Sequence, residues 1–102
     1  MRLRVIGLVS LVLVSSARAQ SFNCRYARTP DEVAICESAR LSVLDERLSS
    51  WFFRLRNSLY GPGRARLDRQ QAVWLNARQQ CGSDPACIGA AYRARLSELS
   101  GW

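Results

Sequence analysis

Along residues 41–59, apolar side chains return at steps of three and four: Leu41, Leu44, Leu48, Trp51, Phe52, Leu55 and Leu59. That rhythm predicts an amphipathic helix with a broad inward stripe, flanked by Arg47, Arg54 and Arg56. Gly61-Pro62-Gly63 is expected to end it. Upstream, Thr29-Pro30-Asp31-Glu32 has the form of a helix start. Thr29 suits the cap, Pro30 the first helical position, and Glu32 the carboxylate of a capping box. Ser38 is read as a second cap with Ala39 opening the next helix, which divides what would otherwise be one rod over residues 30–60. A third helix is expected over residues 64–80, with Leu67, Gln71, Trp74, Leu75 and Arg78 on or near one face. After a turn at Cys81-Gly82-Ser83-Asp84-Pro85, a fourth helix begins near Pro85 and turns Ile88, Tyr92, Leu96 and Leu99 inward. No stretch alternates with period two, so no strand is expected. The predicted fold is all-α, a small bundle of three to four helices stapled by two disulfides.

The first residues predict export. Arg2 and Arg4 precede an apolar run over residues 5–14, and Ser15-Ser16-Ala17-Arg18-Ala19 supplies an Ala-x-Ala arrangement with cleavage expected after Ala19. The run is far shorter than the ~20 apolar residues that span a bilayer. The position after the cut is Gln20 and not a cysteine, so no lipid anchor is expected. The chain is thus divided into a signal peptide, residues 1–19, and a helical domain, residues 20–102, that is periplasmic or secreted and not stably inserted in a membrane.

A domain of that size buries a limited core, and its cysteines fit the need for staples. Cys24, Cys36, Cys81 and Cys87 all lie in the exported part, where disulfides are the default. Cys81 and Cys87 flank a tight turn, and Cys24 can fold back onto Cys36, so local pairing ranks first and a crossed Cys36–Cys81 pair second. The chain has no histidine and neither cysteine gap is a C-x-x-C knuckle, so no metal or other cofactor is expected. Lacking histidine, it can build no Ser-His or Cys-His pair, and the adjacent acids Asp31-Glu32 and Asp45-Glu46 point apart on a helix. The expectation is a binding protein and not an enzyme. Losing Arg2, Arg4 and Arg18 with the leader takes fifteen basic residues to twelve against eight acids, a balance of +4. That favours anionic envelope polymers without naming a nucleic acid.

Several of these residues fall into one ordered pattern: Phe22-Asn23-Cys24, Ile35-Cys36, Leu44-Asp45 with Leu48, Gln71-x-x-Trp74-Leu75-x-x-Arg78-x-x-Cys81, then Cys87 and Tyr92-x-x-Arg95-x-x-x-Leu99. In order and spacing the string resembles the LprI-type lysozyme-inhibitor N-terminal domain family over nearly the whole exported part. It departs from the family at Asn23, where aspartate is usual, at Ser38-Ala39, where Asp-Pro commonly breaks the first helix, and at Phe52, where tyrosine is expected. The resemblance implies a lysozyme-inhibitor-like binding protein that acts by occluding a partner surface, in a family largely without assigned functions.

Asp45, inside the most apolar helix, is expected to need a cationic partner, with Arg78 or Arg95 supplying a bidentate one. Gln71 and Tyr92 are expected to hydrogen-bond around a core Trp74. Trp51 and Phe52, about 100° apart on their helix, are candidate partner contacts if one protrudes. Trp102 is either a docking residue or a frayed end. Asp31, Glu32 and Glu37 form a candidate acidic patch for a basic lysozyme, although the same acids suit a helix N-terminus. An anionic cell-envelope polymer, glycan or lipid headgroup held by the arginines is the alternative partner.

Overall fold

The computed structural model describes residues 21–102; the expected signal peptide and its cleavage point lie outside them. A 3-10 turn at Cys24–Tyr26 leads to α1 (Pro30–Glu37), α2 (Ala39–Asn57), α3 (Gly61–Gln80) and α4 (Pro85–Ser100), and no strand occurs among the described residues. The boundaries follow local chemistry. Glu32 accepts from the Arg28 and Thr29 amides at the start of α1. Ser38 Oγ accepts from the Leu41 amide at 3.1 Å, so the break between α1 and α2 falls where a second cap was expected. Asp84 caps α4 through the Ala86 amide.

One boundary differs from expectation. Gly61-Pro62-Gly63 does not separate α2 from α3; it is the first turn of α3. Gly61 takes a φ of 60°, which turns the chain sharply. Pro62 then sits in the first turn, where its missing amide hydrogen costs nothing. α2 has already ended at Asn57, where Ser58 caps it by donating its amide and hydroxyl to the Leu55 carbonyl.

The core is a single cluster of Ile35, Leu41, Leu48, Phe52, Leu67, Trp74, Ile88, Tyr92 and Leu99. Leu44, Trp51 and Leu55 complete the α2 stripe at its margins, as Leu75 does on α3 and Leu96 on α4; Leu59, expected on the same helix, packs against the core from beyond its end at Asn57. α2 packs chiefly on α4 and α1, and α3 on α4, while the consecutive α2 and α3 do not pack along their lengths. Both disulfides are the local pairs, Cys24–Cys36 and Cys81–Cys87. The first pins the segment before α1 to that helix; the second closes the turn between α3 and α4. Trp102 is docked, packed against the core margin with the Arg66 guanidinium 4.5 Å from its ring centre.

Candidate functional site

The buried polar residues converge on Arg78. Its Nε donates to Asp31 Oδ2 at 2.7 Å, and its Nη1 donates to the Tyr92 hydroxyl at 3.1 Å. Tyr92 in turn donates to Asp45 Oδ1 at 2.7 Å. Asp45 also accepts from Ser21, at Oδ2 from the amide (2.9 Å) and at Oδ1 from the hydroxyl (2.7 Å). Phe22 then lies over Arg78, whose guanidinium carbon is 5.6 Å from both the Phe22 and Trp74 ring centres. Four elements and the leading segment are thus joined through one cation.

The expected bidentate pair between Asp45 and an arginine does not form. Arg78 Nη1 approaches Asp45 Oδ1 only to 3.9 Å, with the Tyr92 hydroxyl bonded to both. The oxygens of Asp45 are taken by Ser21 and Tyr92, and the close carboxylate for Arg78 is Asp31. Arg95 turns elsewhere, donating to Gln71 Oε1 at 3.0 Å and to Glu98 at 3.1 Å. Gln71 and Tyr92 thus hydrogen-bond beside Trp74, the first to Arg95 and the second to Arg78 and Asp45, while the indole N–H itself donates to the Ala91 carbonyl at 2.9 Å. Tyr92 meets that ring edge-on at 5.1 Å.

Protonation within the cluster is fixed by its neighbours. Burial works against the Asp31 carboxylate, yet the Thr29 hydroxyl beside it and the Arg78 guanidinium hold its pKa below the ordinary value. Burial likewise disfavours charge on Arg78, and Tyr92 and Asp31 more than offset it. Burial and the Asp45 carboxylate push the Tyr92 phenol far above its usual range, so it remains a donor. Every strong partner of these groups comes from the chain itself. A cleft of about 240 Å³ opens beside them, lined by Phe22, Phe53, Gln71, Trp74 and Leu75; within the cluster Asp31 Oδ1 and the Thr29 hydroxyl are buried without a hydrogen-bond partner among the described residues. The cluster locks helices together.

The surface expected to meet a partner is also redrawn. Asp31 has no exposed area, and Glu32 spends its carboxylate on two backbone amides. Glu37 alone of that trio stands exposed, so the acidic patch does not exist. Phe52 is 7% exposed and Trp51 packs at the core margin, while Phe53 projects with 51% of its surface free. The phase of Leu41, Leu48 and Phe52 decides this, because a residue one step beyond an inward position turns about 100° away.

The most exposed aromatic is Tyr60, 87% free, at the corner between α2 and α3. Its surroundings are stiff. Arg56 forms a two-pronged pair with Asp68, Nε to Oδ1 at 2.8 Å and Nη2 to Oδ2 at 3.0 Å. Arg64 Nε donates to the Arg56 and Leu59 carbonyls at 3.2 and 3.1 Å, closing the end of α2. A bare phenol thus projects from a braced, basic corner. A cue was present in the sequence, in an aromatic placed directly before Gly61-Pro62 and outside the apolar rhythm.

Set against protein-family models, curated proteins and solved structures, the chain finds no match.

Proposed function

We propose that this chain is an extracytoplasmic, lysozyme-inhibitor-like binding domain that occludes its partner with the Tyr60 corner. The observation that carries the reading is a nearly bare tyrosine on a convex turn held by Arg56–Asp68 and Arg64. Tyrosine is favoured as an interface anchor because it offers large area at low entropic cost. Rigidity in the free state lowers the cost of ordering on contact. The net charge is no obstacle at this scale. A retaining or inverting glycosidase cleft is built around two carboxylates, so a basic knob meets opposite charge locally even where the partner as a whole is basic.

The resemblance to the LprI-type domains supports the same class of partner. Export is supported by two disulfides, which suit an oxidising compartment, and no described helix is long and apolar enough to cross a membrane. The test is a turbidity assay of bacterial lysis with several lysozyme types. The disulfide-bonded domain slows lysis, and Tyr60→Ala removes the effect while leaving the thermal midpoint unchanged. Lysis that proceeds at full rate against excess protein ends this reading.

A second reading is favoured by the fate of the charges. The acids are largely engaged, whereas Arg40, Arg47, Arg54, Arg69 and Arg93 are exposed without an ion-pair partner among the described residues. Such a surface suits an anionic envelope polymer. Pull-down on peptidoglycan or lipopolysaccharide at rising salt tests it, since a charge mechanism loses binding as salt increases.

A further inference from the structure

At the end of α2 remote from Tyr60, roughly 30 Å away by helix length, a concavity of about 530 Å³ lies between α2 and α4. Ser38, Arg40 and Leu41 line one side, and Pro85, Gly89 and Arg93 the other. Neither guanidinium has a carboxylate partner among the described residues. Asp84, just before Pro85, is turned onto the Ala86 amide at 3.0 Å, and Glu37, three residues before Arg40, forms no ion pair among the described residues. Both helices present their first turns here, the positive ends of their dipoles.

Gly89 gives the concavity a purpose-shaped floor. It is buried within α4, where alanine is the better helix former. A methyl group at this position would lie 3.8 Å from Leu41 Cδ2, an ordinary contact, but 3.3 Å from Arg93 Nη1. Helix packing therefore tolerates alanine; only the resting place of the Arg93 guanidinium does not. Glycine keeps that head group laid back over the helix, facing the same hollow as Arg40.

We infer that this concavity binds a phosphate group between Arg40 and Arg93. Two forked cations on separate helices match an anion with several oxygens, each fork taking its own pair. A lone carboxylate would engage one fork and leave the other unused. The phosphate belongs either to a free phosphate ion or to a monoester headgroup at a lipid surface, and the chemistry at the two arginines is the same. This surface is separate from the Tyr60 corner, so the outcome of the lysis assay does not bear on it.

The experiment titrates the ¹⁵N-labelled, disulfide-bonded domain with inorganic phosphate at low salt. Amide shifts are expected to concentrate at residues 38–41 and 89–93. Arg40→Gln and Arg93→Gln each weaken binding about tenfold, the loss expected for one charged hydrogen-bonding partner. Gly89→Ala also weakens it, with helix content intact. Phosphatidylcholine vesicles carrying phosphatidate sediment the protein if the source is a headgroup; phosphate binding with no sedimentation supports the free ion. Shifts spread evenly over all arginine-bearing segments, or unchanged phosphate affinity in the Arg40→Gln/Arg93→Gln double variant, overturn the inference.

Discussion

Arg78 Nε stands 2.7 Å from Asp31 Oδ2 with both side chains shut off from solvent, and this one contact joins α1 to α3 across 47 residues of sequence. A buried cation of this kind has little independent worth, but it becomes costly once its partner is removed. Arg78 also holds Tyr92, which holds Asp45, so the cluster behaves as a unit.

Arg78→Met accordingly leaves Asp31 and Asp45 without their cation and should cost about 3–5 kcal/mol. Adding Asp31→Leu removes one stranded carboxylate and should recover part of that loss. Urea denaturation of the single and double variants measures both. Equal stability of Arg78→Met and the unaltered protein would show that the cluster contributes nothing.

The cluster also fixes the response to pH. Asp31 has a folded pKa below its unfolded one, so the unfolded chain binds the proton more readily and stability falls as pH falls. Its contribution is complete above the unfolded value of about 4. It fades as pH drops through the folded value. Tyr92 acts in the opposite sense, because its folded pKa is raised. Its contribution is present below the unfolded value of about 10 and declines as pH rises above it. Urea midpoints from pH 6 down to 2 should converge between the unaltered protein and Asp31→Asn, and midpoints above pH 10 should fall less steeply in Tyr92→Phe.

The disulfides are expected to differ in what they hold. On the chain-entropy view Cys24–Cys36 is worth about 3 kcal/mol and the shorter Cys81–Cys87 loop about 2. Only the first anchors the segment bearing Ser21 and Phe22. In a Cys24→Ala/Cys36→Ala variant the Ser21 amide, bonded to Asp45, should lose its protection from hydrogen exchange. In Cys81→Ala/Cys87→Ala it should keep that protection, and thermal melts followed by circular dichroism rank the two losses.

Much of this architecture could be read from the residues, because helix rhythm and caps act locally. The α2 stripe, the Ser38 cap, the start of α4 at Pro85 and the local pairing of cysteines all rest on neighbours a few positions apart. Asp45 was recognisable as a buried acid needing support. Its actual partners, Ser21 and Tyr92, and the diversion of Arg78 to Asp31, depend on where α1 lies over α3, which no local spacing encodes. The acidic patch failed for a related reason. Three nearby acids look equivalent along the chain, while α1 turns Asp31 inward, binds Glu32 to its own cap and leaves Glu37, at its far end, in water.

Gly89 offers the sharpest separation of stability from recognition. A glycine inside a helix costs roughly 0.5–1 kcal/mol relative to alanine, and a methyl group here presses only on the movable end of Arg93. Gly89→Ala should therefore raise the unfolding free energy by about that amount, because the guanidinium can swing aside into solvent. Arg93→Gln combined with Gly89→Ala should show a slightly larger gain, since nothing then crowds the new methyl. Denaturant midpoints with unchanged m-values give the comparison. If Gly89→Ala lowers stability in both backgrounds, the crowding lies with α2 at Leu41, and glycine is there to let the helices approach.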